Sequence, residues 1–450
     1  MTSPCDEIAR KIRSGLSKLG SHDAQYWEFR RQARRDGLHG LIQYPAMMVP
    51  RMQGDILDTI LAVDPSIKSV WDPFVGAGTT LTETMLRGRD FVGHDINPLA
   101  VLTCEAKSAM FCSESLNRKV QELLVRIAND RSSMLDVNFP GRDKWFSLAA
   151  SISISKVRRA IIKECADWAR KVMWVALCEA IRRTSNSRTS TYKLHERPKS
   201  EQSLSELPEQ VFSEEITLAV ERFRYHERLL ESRGLLRSGR YKGLVRIRCV
   251  DTKNMSWREK VSFDMIITSP PYGDNRSTVP YGQFSFLPLN WIPAEDLPGD
   301  VSAFSTTQMT DYRSLGGSIR GFEEKLGQLE GRSKSFQSFY SALSILNRRD
   351  LLAKVTSFVF DFEESLERIC ARLKPGGLAV WTLGNRTVGG MSVPLYEICR
   401  ETQERQGLIH VTTVQRKIPC KRTPTRNPIS TTMGDELLLV MKKLDTYVSH

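Results

Sequence analysis

No uninterrupted apolar stretch in the chain approaches the ~18 residues that span a bilayer. The opening residues, MTSPCDEIARKIRSGL, carry charges where an export leader needs its apolar run. A membrane span is not expected, and the chain reads as soluble and cytoplasmic. Nine cysteines are present, at 5, 104, 112, 165, 178, 249, 370, 399 and 420, but no two stand as C-x-x-C. That spacing excludes a zinc knuckle and a disulfide framework, so reduced, mostly buried thiols and no metal site are expected. Acidic side chains are in deficit: Asp+Glu 52 against Lys+Arg 65 leaves a net charge of +13 and a pI near 9.3. This excess suits a polyanionic partner, because each cation that neutralises a phosphate releases condensed counterions. Hydrophobic residues make up 40% of the 450, enough for a sizeable core and too many for wholesale disorder.

What is present is an interrupted α/β pattern. Residues 1–36 are polar and basic and read as a helical arm. In 37–110 a turn and amphipathic helix at 44–61 precede strand KSVWD, a glycine turn, helix TTLTETMLRG, strand DFVGHD and helix PLAVLTCEAKSAM. Strand–turn–helix units of this length predict a parallel sheet. Residues 111–243 break the alternation with a long, charged, helical stretch whose apolar residues recur at helical spacing. The α/β pattern resumes over 244–284 with LVRIRCV and FDMIITSPPY. Residues 285–356, rich in Gly, Ser, Thr and Arg, read as irregular. Residues 357–450 supply helix FDFEESLERICARL, a turn at KPGG, strand LAVWTLGN and a hairpin from HVTTVQ and ELLLVMKK. One α/β domain with two insertions is expected.

Two motifs carry chemistry. In Asp72-Pro73-Phe74-Val75-Gly76-Ala77-Gly78-Thr79, glycines let the backbone turn sharply and approach a ligand at the carboxyl end of the sheet. The dinucleotide fingerprint G-x-G-x-x-G fails here, because Leu81 occupies its third position. The next strand ends at Asp95, placed to accept both hydroxyls of a ribose; its bland alternative is a helix N-cap before Pro98. In Asp264-Met265-Ile266-Ile267-Thr268-Ser269-Pro270-Pro271-Tyr272, the prolines stiffen the backbone and leave the carbonyls before them without a competing N–H, and a flat ring follows. Modifying an aromatic amine needs acceptors for its hydrogens and a surface for the extruded base.

DPFVGAGT together with SPPYGD resembles the amino-methyltransferases of DNA restriction–modification systems, and SPPY resembles their N4-cytosine branch. The likeness extends to Tyr44-Pro45-Ala46, to LKPGG at 373–377, to GNRTVGG at 384–390 and to 418–440, and leaves the two insertions largely uncovered. It implies a Rossmann-like, S-adenosylmethionine-dependent sheet with a C-terminal antiparallel hairpin. It further implies that Phe74, Gly76 and Gly78 surround the cofactor and Asp72 holds its amino-acid end. Asp95 takes the ribose, Ile96 and Asp251 meet the adenine, and Tyr44 flanks the methionine. Ser269 and the Pro270 carbonyl orient the target amine, Pro271 stiffens the turn, and Tyr272 stacks on the base. The expected reaction is direct in-line transfer to cytosine N4 in duplex DNA after base flipping, possible partners being the duplex and a cognate restriction endonuclease. Adenine N6 and RNA are the alternative acceptors, and a non-catalytic DNA-binding module is the alternative class.

Methylation at cytosine carbon 5 would need a cysteine nucleophile, and Cys420 lies far along the chain from Ser269. His39 and His94 are decoys for general bases. Three basic stretches compete for DNA: Arg182, Arg183, Arg188 and Lys193; Arg313, Arg320 and Arg332; and Arg416, Lys417, Lys421 and Arg422. The target-recognition region falls in one of the insertions, and 285–356 is favoured because it follows SPPYGD and is irregular.

Overall fold

The computed structural model describes the chain apart from residues 1–3, 22, 24, 30–35, 203–206, 256–260, 274–280, 301–305, 308–317, 385, 419–433 and 446–450. Its centre is a seven-stranded sheet. In chain order the strands are β1 (Ser69–Asp72), β2 (Asp90–Asp95), β3 (Val245–Cys249), β4 (Phe263–Thr268), β5 (Leu373–Gly384), β6 (Leu408–Lys417) and β7 (Asp435–Lys443). They lie side by side as β3-β2-β1-β4-β5-β7-β6, and only β7 runs against its neighbours. The order reverses between β1 and β4, which is where an open α/β sheet forms its ligand crevice. This is a Rossmann-like sheet with a C-terminal antiparallel hairpin.

Buried strands show their two faces by alternation. Val70, Phe91, Met265, Ile267, Val380 and Val440 face one core, whereas Trp71, Val92, Ile266, Trp381 and Met441 face the other. The first core is covered by helices α1 (Pro4–Ser21), α2 (Pro50–Val63), α3 (Thr79–Leu86), α4 (Pro98–Ser108), α5 (Ser113–Asn129), α6 (Leu148–Ile162), α7 (Asp167–Thr184), α8 (Pro208–Ser232) and α9 (Tyr281–Trp291). The second is covered by α10 (Phe322–Leu329), α11 (Lys334–Ser344), α12 (Arg349–Ala371) and α13 (Leu395–Arg405). No helix among the described residues is long and apolar enough to cross a membrane.

Three sequence expectations need correction. The N-terminal segment does not stand apart: Ile12 and Leu16 of α1 are fully buried, and Arg13 donates to the Val411 carbonyl of β6 at 2.8 Å. The stretch 285–356 is not wholly irregular. Leu329, Phe336, Phe339 and Leu343 seat α10 and α11 in the second core, position 285 lies inside α9, and 356 lies inside α12. The KPGG segment is not a separate turn; it lies within β5, where Gly376 takes φ +73°.

Candidate active site

The glycine turn leaves β1 at Asp72 and enters α3, with Gly76 at φ +49° and Gly78 at φ +74°. A side chain at Gly78 would be doubly opposed, because its Cβ would also fall 2.9 Å from the Cys104 sulfur. Helix α4 supports the turn from beneath. The Cys104 thiol donates to the Gly76 carbonyl at 3.3 Å and the Lys107 ammonium to the Ala77 carbonyl at 2.6 Å. Asp95, ending β2, accepts from the Gly76 amide at 2.9 Å and the Asn97 amide at 2.8 Å. Burial outweighs these bonds and lifts its carboxyl to about 6. Asp72 is fully buried; it accepts from Thr268 at 2.5 Å and from the Phe74 amide at 3.1 Å, and burial lifts it to about 7.

Because β4 lies parallel to β1, with Trp71 level with Ile266, the two turns emerge at the same end of the sheet. Beyond β4, the Ser269 hydroxyl lies 2.7 Å from the Tyr272 hydroxyl, which donates to the Thr382 carbonyl of β5 at 3.2 Å. With Tyr272's proton placed on Thr382, the Ser269 proton points to Tyr272. The Ser269 oxygen then keeps its lone pairs for another donor.

A single cavity joins the turns. Tyr44, Phe74, Gly76, Asp95, Ile96, Asp251, Ser269 and Pro271 line it, as do Asn97, Tyr281 and, from α12, Phe358, Asp361, Phe362 and Ser365. Asp72, Gly78, Pro270 and Tyr272 adjoin these residues in sequence or space without lining the cavity themselves. The carboxylate of Asp251 caps the short turn Thr252–Asn254, accepting from the Lys253 amide at 2.9 Å, which is its turn-residue alternative. Asp95 is not a helix cap. Asn97 fills that role for α4, accepting from the Leu99 amide at 3.0 Å, while its amide nitrogen donates to the Tyr44 hydroxyl and to Ser285. Sequence reasoning missed Asn97, although Asn before Pro98 is a helix-start signal. It also missed the α12 residues, whose helical spacing was legible but whose facing was not.

The histidines take structural places outside the cavity wall. Trp71 donates to His94 Nδ1 at 3.0 Å, and burial pushes that imidazole down to about 3. His39 is buried, 2.8 Å from Glu83. Of the basic residues, Arg182 is held by Glu179 and Gln43, Arg183 by Glu214 and Glu215, and Arg416 is buried beside Glu436. Arg332 lies 3.6 Å from Glu367. Each of the four thus has a carboxylate partner, though Arg183 and Arg332 stay partly exposed. Arg188, Arg320 and Lys417 are exposed and Lys193 is half-buried. Arg313, Cys420, Lys421 and Arg422 lie outside the described residues.

No protein-family profile matches the sequence. The chain is 29% identical over 454 aligned residues to the Type II methyltransferase M.MvaI of Kocuria varians, covering 95% of this chain and 96% of that one. It is homologous to a methyltransferase. This full-length relationship supports an enzyme that transfers methyl groups. Among solved structures, the rRNA methyltransferase aviRa from Streptomyces viridochromogenes overlaps 88% of this chain and 86% of its own at 11% identity, with a TM-score of 0.30. The order of the chain's strands, not this likeness, defines the fold.

Proposed function

We propose that the chain is a restriction–modification DNA methyltransferase that transfers a methyl group from S-adenosylmethionine to N4 of cytosine in duplex DNA. The observation that carries this reading is the single cavity bordered by both the glycine turn and Ser269. The full-length likeness to a Type II methyltransferase supports the class, and the SPPY sequence supports the cytosine branch.

The residues present fit the cofactor. Two left-handed glycines leave the turn bare, a carboxylate sits at the end of β2, and aromatic and aliphatic walls stand nearby. Gly76 and Phe74 would hold the methionine end beside Tyr44, Asp95 the ribose hydroxyls, and Ile96 with the α12 phenylalanines the adenine. Asp72, Gly78 and Lys107 would shape that wall from behind. S-adenosylmethionine supplies, when bound, a methyl group activated by its sulfonium. The chain's own residues align and polarise the acceptor. The Ser269 oxygen and the Pro270 carbonyl accept the amine hydrogens, turning the nitrogen lone pair towards the methyl, and Tyr272 offers a ring to the base. The base reaches this site only by leaving the duplex, at a cost of roughly a few kcal/mol. A cognate endonuclease for the same site and a cytoplasmic setting accord with this role.

Nucleoside analysis of DNA from cells expressing the protein tests the proposal. N4-methylcytosine is the expected product. N6-methyladenine alone would move the acceptor to adenine, and labelled methyl appearing in tRNA but not in DNA would move it to RNA.

A further inference from the structure

Residues 185–197, between α7 and α8, close into a stapled loop. The Arg188 amide donates to the His195 carbonyl at 2.8 Å, the Arg197 amide to the Asn186 carbonyl at 2.7 Å, and Ser187 bridges to Glu196. The Arg197 side chain ties the base further, donating to the Ser187 carbonyl at 3.0 Å and the Arg183 carbonyl at 3.2 Å. The tip, Arg188-Thr189-Ser190-Thr191-Tyr192-Lys193, contains two cations, hydroxyls and a ring, and no carboxylate. Arg182 and Arg183 at the end of α7 are engaged by glutamates. Arg188 and Lys193, in contrast, make no ion pair among the described residues.

The loop is also joined to the cavity. The Leu194 amide donates to Gln283 of α9 at 2.9 Å, and Tyr192 packs edge-on against Phe284 with centroids 5.9 Å apart. Phe284 in turn packs edge-on against Tyr44 at 5.4 Å, and Ser285 accepts from Asn97. Tyr44 and Asn97, with Tyr281 at the start of α9, line the cavity. An unneutralised basic tip is thus fixed to the cavity wall by one aromatic and one hydrogen-bonded path.

From this placement, and resting on the DNA reading above, we propose that loop 185–197 grips the backbone of the strand that presents the target base. Arg188 and Lys193 contact phosphates while the stapled base holds the tip in register with the cavity. This gives the backbone-gripping role to the helical segment and leaves base reading with 285–356. Phosphate contacts of this kind position the duplex without reading its sequence, so the test does not depend on knowing the recognition site.

Fluorescence polarisation with a labelled random-sequence DNA duplex, over a range of salt concentrations, decides the matter. Both side chains lie at a loop tip without ion-pair partners, so Arg188→Ala/Lys193→Ala is expected to melt with the wild type and to bind S-adenosylmethionine equally well. Its duplex affinity should fall about tenfold at low salt, and the slope of log affinity against log salt should shrink by about 1.8, at about 0.9 per phosphate contact. An unchanged affinity and slope overturn the proposal, as does a loss confined to Arg320→Ala/Arg332→Ala. A wild-type protein that binds cofactor and tRNA but no duplex overturns the DNA reading itself.

Discussion

The hydroxyls of Ser269 and Tyr272 lie 2.7 Å apart, and Tyr272 donates its own hydrogen bond to the Thr382 carbonyl. Burial pushes the Tyr272 phenol well above its ordinary value, so this proton stays in place at working pH. The chain of bonds fixes Ser269 as an acceptor. Tyr272→Phe keeps the ring and removes the relay, freeing the serine proton to point at the incoming amine. Single-turnover methylation should slow about 100-fold, the lower end of the effect of one lost polar group in a site, while cofactor affinity is unchanged. Ser269→Ala with Tyr272→Ala should abolish transfer and leave cofactor binding largely intact. Full speed in either variant would remove these residues from the reaction.

Lys107 is a fully buried cation that donates to the Ala77 carbonyl. Burial draws its ammonium down to about 8. A lysine depressed in the folded state disfavours folding while it is charged, a penalty that fades as pH rises through about 8. Its place on the underside of the glycine turn points to positioning rather than to stability. Lys107→Met should raise the cofactor dissociation constant about tenfold, the scale of one charge-assisted bond. Calorimetric titration with S-adenosylmethionine checks this, and a Tm at least equal to the wild type's at pH 7 would separate the loss from unfolding. Unaltered affinity in a folded variant would leave Lys107 without a role in the turn.

Much of the sheet was legible because buried strands flanked by glycine and proline announce themselves. KSVWD, DFVGHD, LVRIRCV and FDMIIT became β1 to β4 within a residue or two. The order of β1 and β4, and hence one shared cavity, followed from the motif resemblance rather than from periodicity. Helix α9 was missed at its start because YGQFSFLPLNW is apolar all round and carries Pro288, leaving no polar face to display a helical period. Basic residues are the least legible. Arg182 and Arg183 look like nucleic-acid contacts along the chain, yet their glutamate partners stand nearby on α7 and α8, and a linear reading does not weigh partners across a fold.

Asp72 tests the balance between burial and bonding. Its carboxyl is raised from 3.8 to about 7, because burial outweighs the bonds from Thr268, the Phe74 amide and Thr80. A carboxyl raised on folding contributes stability that is fully present below pH 4 and is lost as pH rises through 7. Asp72→Asn keeps an acceptor for Thr268 and cannot ionise. The variant should therefore gain on the wild type from pH 4 to pH 8, by no more than about 4 kcal/mol. Chemical denaturation at a series of pH values measures the difference, and a constant gap across that range would show that Asp72 does not titrate on folding.

Asp95 provides a pH signature for ligand binding rather than for stability. Its carboxyl titrates near 6 because burial outweighs the amides of Gly76 and Asn97. A ribose presents hydroxyl donors, so the ionised form is the one that accepts them, and protonation withdraws that acceptor. At pH 5 about one-tenth of the carboxyl would remain ionised, so affinity for S-adenosylmethionine should fall about tenfold between pH 7 and pH 5. Asp95→Asn should bind weakly throughout and lose this limb, since the amide offers a single oxygen to two backbone donors. Asp72 titrates close by and must be separated: the limb should persist in Asp72→Asn and disappear in Asp95→Asn. Were it to vanish in Asp72→Asn and survive in Asp95→Asn, the proton sensed by the cofactor would sit behind the glycine turn, and the ribose contact would have to be reassigned.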